Sequence, residues 1–272
     1  MCLGLSSLIE GEEGDASNAD AAGDRIHLNL HGIQQQLLER IVALGKPVVL
    51  VVLSGSGVAI GWADEHCPAI LQAWYPGEEG GTAIADALFG DYNPGGRLPV
   101  TWVCGLEQLP PMEDYRMEGR TYRFMKDQPL YPFGWGSSYT TFGYLNLKVT
   151  ETAHVDEEIE VSVDVINSGE RAGDEVAQLY VSRETETTRT PLRELRGFRR
   201  LHLQPGETRT VTFKLTPRDL SIINDEGKRI LEPGDVTIYV GGCQPDERSR
   251  ELGGVWLEEK ITVKGEPKEI PY

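Results

Sequence analysis

Four carboxylates fall within six consecutive positions near the start of the chain: Glu10, Glu12, Glu13 and Asp15. Like charges packed at that density raise the pKa of at least one member, the property a general acid needs near neutral pH. A carboxyl pair of this kind can serve a hydrolysis, one group protonating a leaving oxygen while the other acts as nucleophile or base. Read alone, such a cluster is more often simply a solvated loop. The surrounding segment, IEGEEGDASNADAAGDR from Ile9 to Arg25, is too rich in Gly, Asp and Asn for regular structure. Other chemistries find less support. The five histidines show no HxH or HExxH spacing for zinc. The Asp15 to Asp24 stretch lacks the DxDxDG order of a calcium loop, and no GxGxxG or GxxxxGK[ST] element cradles a phosphate. No metal and no cofactor are expected.

Composition narrows the partners. The 272 residues are enough for two ordinary domains, and 39 % hydrophobic content allows each a core. A net charge of −17 repels nucleic acid and anionic membrane surfaces. The apolar run Val48 to Leu53 is far too short to span a bilayer. MCLGLSSLIEGEEGD has neither the basic n-region nor the long apolar h-region of a signal peptide. Cys2, Cys67, Cys104 and Cys243 are scattered without CxxC spacing and read as separate reduced thiols. As it stands the chain reads as cytoplasmic, or as secreted or periplasmic if an upstream region carries a signal.

The elements that must position the carboxylates follow from periodicity. Ile33, Leu37, Leu38, Ile41 and Leu44 share one helical face, with Gly45 closing the helix. Val48 to Leu53 is a continuous run of the kind buried on both faces of a parallel sheet. Ala69-Ile70-Leu71 reads as a strand end, stopped at Tyr75-Pro76-Gly77. Thr82 then caps a helix from Ala83 to Phe89, with Ile84, Leu88 and Phe89 on one face and Gly90 behind it. Glu78 and Glu79 suit the positive end of that helix. Strands alternating with helices predict a three-layer α/β domain over residues 1–105, with a parallel sheet and flanking helices.

Residues 106–143 carry repeated Pro and Gly and little periodicity, a connection packed along other elements or functional. From Tyr144 the pattern alternates. Ile159, Val161, Val163 and Val165 share a face; Val176, Leu179 and Val181, then Val211, Phe213 and Leu215, then Val236, Ile238 and Val240 continue the scheme. Turn signals sit at Asn167-Ser168-Gly169, Pro205-Gly206, Asp225-Glu226-Gly227 and Pro233-Gly234. About seven short strands at that spacing make an antiparallel sandwich over residues 144–265, followed by a tail, 266–272.

WYPGEEGGTAIADALFGDYNPGGRLPVT, followed by EGRTYR and PLYPFGWGSSYTTF, closely resembles the C-terminal half of the glycoside hydrolase family 3 β-glucosidases and β-xylosidases. The resemblance covers nearly the whole chain. It implies that the first domain is an N-terminally truncated family 3 α/β domain and that the sandwich is fibronectin type III-like. It also implies a TIM-type barrel, joined in cis or supplied by a separate chain, that these residues do not contain. In this family the acid/base glutamate lies on a loop of the second domain, shortly before an Asp-Arg pair. Ile9-Glu10-Gly11-Glu12 and Asp24-Arg25 match that arrangement, so the resemblance assigns Glu12 as general acid/base, with Glu10 and Glu13 as alternates. The family nucleophile is an aspartate in a Ser-Asp-Trp context, which does not occur here; Asp64, after Trp62-Ala63, opens no matching motif. The expected substrate is a β-linked oligosaccharide or aryl glycoside.

Trp62, Trp74, Tyr75 and Trp135 could stack on a sugar ring, although such residues more often pack a core or an interdomain surface. Arg97, Arg120 and Arg123 are expected in interdomain ion pairs. The reading from the residues and the resemblance together is the acid/base-bearing part of a retaining β-glycosidase. A non-catalytic carbohydrate-binding module and an inactive fragment are the alternatives.

Overall fold

The computed structural model describes residues 1–10, 25–183, 185 and 188–271. The chain divides into two compact units, Met1–Tyr92 with Trp102–Tyr115, and Asn93–Thr101 with Arg116–Tyr272.

The first unit holds a three-stranded parallel sheet in the order β1-β2-β3, from β1 (Cys2–Gly4), β2 (Val49–Leu53) and β3 (Ala69–Gln72). α1 (Ser7–Glu10) and α2 (Gln34–Val42) follow β1, α3 (Gly61–His66) joins β2 to β3, and α4 (Gly80–Phe89) follows β3. The central position of β2 explains its composition: Leu50, Val51 and Val52 are fully buried, so neither face calls for a polar residue. β1 and β2 approach so closely that a Cβ on Gly4, at φ +144°, would lie 1.9 Å from the Leu53 carbonyl oxygen. No other residue fits there. The Gln34 side chain then satisfies the same glycine, accepting from its N–H at 2.7 Å and donating to its carbonyl at 2.8 Å.

Both helices depart from the expected detail. α4 begins at Gly80, so Thr82 lies inside it and donates to Glu79 Oε2 at 3.2 Å instead of capping it. Gly90 does close it, at φ 83°. The shared apolar face of α2 is mostly open: Leu38 is fully buried, whereas Ile33, Leu37, Ile41 and Leu44 are all exposed. Leu88 and Phe89 of α4 are exposed as well. Periodicity groups residues on a face without saying whether that face is covered.

The second unit is a β-sandwich. After α5 (Thr121–Phe124) come β4 (Phe142–Val149), β5 (Thr152–His154), β6 (Ile159–Asn167), β7 (Gly173–Arg183), β8 (Glu194–Leu203) and β9 (Thr208–Leu215). β10 (Ile222–Ile223), β11 (Arg229–Leu231), β12 (Gly234–Gly241), α6 (Glu247–Glu251), β13 (Trp256–Lys264) and β14 (Lys268–Glu269) complete it. One sheet runs β5-β13-β12-β7-β8 and another β4-β6-β9, with a small third sheet β10-β11-β14. Ile159, Val161, Val163 and Val165 of β6 meet Leu179, Val181, Ile238, Val240 and Ile261 in one buried cluster. Each expected turn separates or precedes a strand; Gly206 and Gly227 take φ 76° and 77°.

β7 is buried on both faces, which shifts its phase from the expected one. Ala177, Leu179 and Val181 face the core, and Val176 points the other way, only half-buried. The second face of β7 is covered by part of the long connection. Gln178 donates to the Gly134 carbonyl at 2.9 Å, and Tyr180 donates to Gln178 Oε1 at 2.6 Å. Glu175, at the end of the core face, accepts from Tyr144 at 2.7 Å and pairs with Arg97 at 2.8 Å. Burial pushes the Glu175 carboxyl up against the opposing pull of Arg97, Tyr144 and the Val176 N–H. Arg97 thus pairs with Glu175, and Arg123 with Glu194 at 2.9 Å, both within the second unit.

Neighbouring residues on β7 should differ sharply on truncation. Glu175→Ala strands the Arg97 guanidinium, nine-tenths buried, and should cost about 3–5 kcal/mol in urea unfolding. Asp174→Ala removes pairs to Arg200 and His202, which are half or more exposed, and should cost about 1 kcal/mol or less. Equal losses would contradict this account of the strand.

Candidate functional site

In an open parallel sheet, ligand chemistry gathers beyond the carboxyl ends of the strands. In the first unit three segments meet there: the turn of α1 after β1, the Ser54-Gly55-Ser56-Gly57 loop after β2, and Trp74-Tyr75 after β3. Their common point is Glu10. Its Oε2 accepts from the Gly55 N–H at 2.8 Å and from the Tyr75 hydroxyl, and its Oε1 accepts from the Ser56 hydroxyl. Arg25 donates from Nη2 to Ser56 Oγ at 2.8 Å and to the Gly57 carbonyl at 2.9 Å.

Each partner is itself held. Ser54 donates from its hydroxyl to the Ser56 carbonyl at 2.8 Å, and Gln72 of β3 donates to Ser54 Oγ at 3.2 Å. Gly55 has no room for a side chain, since a Cβ would sit 2.8 Å from a Tyr75 ring carbon and 2.9 Å from Glu10 Oε2. Trp74 adopts the left-handed region at φ 54°, a costly conformation for a residue with a side chain. Its indole packs edge-on against Trp102 at 6.0 Å, and Trp102 is anchored by an Nε1–H bond of 2.8 Å to the Val58 carbonyl. The turn at Trp74 delivers the next residue, Tyr75, to Glu10.

The electrostatics follow from the contacts. Burial pushes the Glu10 carboxyl up, but the bonds from Ser56, Tyr75 and the Gly55 N–H, with the Arg25 charge, outweigh it. They hold the group below the ordinary carboxylate value. A carboxyl whose folded pKa is depressed adds stability above its unfolded pKa, lost as pH falls through the folded one. The same contact, after burial, pushes the Tyr75 phenol up to about 12, so it stays a donor. Glu10 is thus a fixed anion with both oxygens engaged. A general acid needs the reverse, a proton held near neutral pH and a free line to a leaving oxygen.

Of the carboxylates expected to carry acid/base chemistry, Glu10 is placed and Glu12 and Glu13 lie outside the described residues. Trp62 and Trp74 belong to the first unit and Trp135 to the second. Trp62 stacks on His66 one helical turn on, at 4.1 Å and 6°. Trp135 stacks on Tyr131 at 5.2 Å and lines a cavity of about 190 Å³ with Arg97, Tyr144 and Glu175. Sequence reasoning passed over Ser56 and saw Tyr75 only as an aromatic surface. The available signal was a Ser-Gly-Ser-Gly run directly after a strand buried on both faces, where a parallel sheet places its binding loops.

Comparison with known proteins agrees with the sequence resemblance. The glycosyl hydrolase family 3 C-terminal domain matches residues 1–139, and a fibronectin type III-like domain matches residues 175–244. A xylan 1,4-β-xylosidase of Xylanibacter ruminicola is 43 % identical over 254 residues, covering 93 % of this chain and 29 % of that protein. The periplasmic β-glucosidase of Salmonella typhimurium is 36 % identical, covering 82 % of this chain and 31 % of its own length. Among solved structures, a β-glucosidase of Erythrobacter marinus aligns at TM-score 0.82 and 39 % identity, over 97 % of this chain and 34 % of that one. The β-glucosidase of Kluyveromyces marxianus in complex with glucose aligns at TM-score 0.80 and 32 % identity, over 99 % of this chain and 32 % of that one. The chain spans about a third of the length of the relatives it matches. With its α/β unit followed by a fibronectin type III-like sandwich, the chain belongs to glycosyl hydrolase family 3.

Proposed function

We propose that this chain supplies the acid/base half of a retaining β-glycosidase site, with Glu12 as the general acid/base. The observation that carries the reading is the state of Glu10. Its two oxygens are taken up by Ser56, Tyr75 and the Gly55 N–H, and it is held as an anion. That speaks against Glu10 as the acid and supports Glu12 or Glu13 in the role. The E-G-E spacing ahead of Asp24-Arg25, as in the family pattern, favours Glu12. The fixed carboxylate two residues earlier lies at the carboxyl edge of the parallel sheet, a suitable place for a loop that reaches toward substrate.

The substrate class is a β-linked glucoside or xyloside, in line with the names of the relatives. A retaining mechanism sets its second carboxylate about 5–5.5 Å from the first, on the opposite face of the anomeric carbon. Glu10, Glu13 and Asp15 stand within three positions of Glu12 in the sequence, and none has the Ser-Asp-Trp context of the family nucleophile. The nucleophile then comes from a barrel region with the Ser-Asp-Trp context that the family resemblance implies. Glu12 protonates the departing glycosidic oxygen and afterwards, as a carboxylate, draws a proton from the water that attacks the glycosyl-enzyme.

Two outcomes test this. Joined to the barrel of a family 3 relative, Glu12→Gln should lower turnover of glycosides with poor leaving groups by about 10²–10⁴-fold. An activated aryl glycoside, which needs little protonation, should lose far less, and azide should restore part of its rate by attacking the glycosyl-enzyme. Parent-like behaviour of Glu12→Gln on both substrates would transfer the role to Glu13. The purified 272-residue chain alone should release no aryl aglycone over a long incubation. Steady release that co-purifies with the chain and disappears in Glu12→Gln would overturn the half-site reading.

A further inference from the structure

A cavity of about 310 Å³ lies in the second unit, and every residue that lines it belongs to that unit. Four stretches far apart in the sequence form its wall: residue 101, part of 122–129, 192–193 and part of 244–248. Bonds within the protein fix them to one another. The Leu192 N–H donates to the Arg123 carbonyl at 2.6 Å, and Ser182 donates to the Leu192 carbonyl at 2.7 Å. Arg248 Nε donates to the Leu130 carbonyl at 3.1 Å, and Asp246 caps α6 by accepting from the Ser249 N–H at 2.7 Å. The space is therefore set by the fold, as small-molecule sites usually are.

Two residues on this wall carry a buried polar atom with no hydrogen-bond partner among the described residues: Gln244, at Oε1, and Thr101, at Oγ1. Gln244 is only 3 % exposed and its amide is half used, since Nε2 donates to Asp246 and Oε1 is left over. Buried polar groups are nearly always paired, so two unpaired ones on a single cavity call for a ligand that completes them. The charges nearby do not ask for an ion. Arg193 and Asp246 pair with each other at 3.4 Å, and Lys126 and Arg248 offset Asp127 and Glu247. No group of His, Cys, Asp and Glu side chains among the described residues could hold a metal.

We propose that this cavity is a saccharide-binding site, taking one or two pyranose units of a neutral glycan, with Gln244 and Thr101 reading its hydroxyls. A sugar hydroxyl donates one proton and accepts at two lone pairs. It can give its proton to Gln244 Oε1, and the Thr101 hydroxyl can give or receive one. Met125, Pro129 and Leu192 offer apolar surface for the C–H faces of the rings. The volume sits at the lower end of the range of about 300–1,000 Å³ for small-molecule sites, which suits a short saccharide. No step of hydrolysis is assigned to this site, and it does not rest on the reading of Glu12.

The test is a titration of the isotope-labelled 272-residue chain with cellobiose and with xylobiose, followed by amide NMR shifts. Saturable shifts are expected at Leu192, Arg193, Gln244 and Asp246, and at the Gln244 side-chain amide, with a Kd of about 1 mM. Thr101→Val keeps the shape and removes the hydroxyl; it should weaken binding about fivefold, the scale of one hydrogen bond, and leave urea unfolding near the parent. Gln244→Met, of similar length but without Oε1, should weaken binding as well and serves if Thr101→Val fails to fold. The absence of saturable shifts at these residues with either disaccharide would overturn the proposal. So would shifts confined to Gly55, Ser56 and Tyr75 of the first unit, or parent-like affinity in folded Thr101→Val and Gln244→Met. Glycine and inorganic phosphate are the charged probes, and equal or larger shifts with either would overturn the saccharide class. Glu12 takes no part in these readouts. A failed titration removes this site and leaves the acid/base reading intact, whereas parent-like turnover of Glu12→Gln on the barrel removes that reading and leaves this site standing.

Discussion

The charge on Glu10 is the constraint around which the first unit is arranged. A half-buried carboxylate must be met by donors, and here they come from segments that two different strands of the parallel sheet position. The Gly55 N–H and Ser56 hydroxyl need the loop after β2, and the Tyr75 hydroxyl needs the left-handed turn after β3. Arg25 supplies the countercharge and shares Ser56 with it. A carboxylate so occupied is held as an acceptor, the opposite of a proton donor. The contacts thereby tie Glu10 into the fold as an anchor, which composition alone could not show.

The second unit applies the same logic to a different end. Glu175 is buried at the edge of a hydrophobic sandwich core, and it is tolerated because Arg97 and Tyr144 complete its hydrogen bonding. Gln178 and Tyr180 on the outer face of β7 are satisfied by each other and by Gly134. These polar contacts secure the Gly- and Pro-rich segment against the strand. They explain why a stretch without periodicity of its own is nevertheless well fixed.

Much of this was legible in the residues. The run Val48 to Leu53 announced a strand buried on both faces, and the alternation from Ile159 to Val165 announced a sandwich strand with one face to be covered. The turns at Pro205-Gly206 and Asp225-Glu226-Gly227 were read from their turn residues, and both glycines take positive φ. β8 escaped notice because it is rich in arginine and none of its first seven residues is buried; only Leu201 and Leu203 at its end are. The phase of β7 was misread because Val176 and Leu179 lie on opposite faces, and an apolar residue on a doubly covered strand does not identify the core side. The outward face of α2 could not be foreseen either, since spacing fixes which residues neighbour one another and not what lies opposite. The Glu10 site was hidden for a different reason. Its partners stand 45, 46 and 65 positions away, and only the parallel register of β1, β2 and β3 brings them together. What the sequence did display was a dense carboxylate cluster and a family motif that assigns Glu12 as the acid/base; the hydrogen bonds that Glu10 accepts could be seen only in the fold.

The most direct test of that assignment is the pH dependence of kcat/KM for the chain joined to a family 3 barrel, on a substrate with a poor leaving group. Such a profile reports the essential acid and base of the free enzyme, and its basic limb follows loss of the acid's proton. The account predicts that the basic limb disappears in Glu12→Gln and persists in Glu10→Gln, whatever rate Glu10→Gln loses. A basic limb that survives Glu12→Gln and vanishes in Glu10→Gln would contradict it.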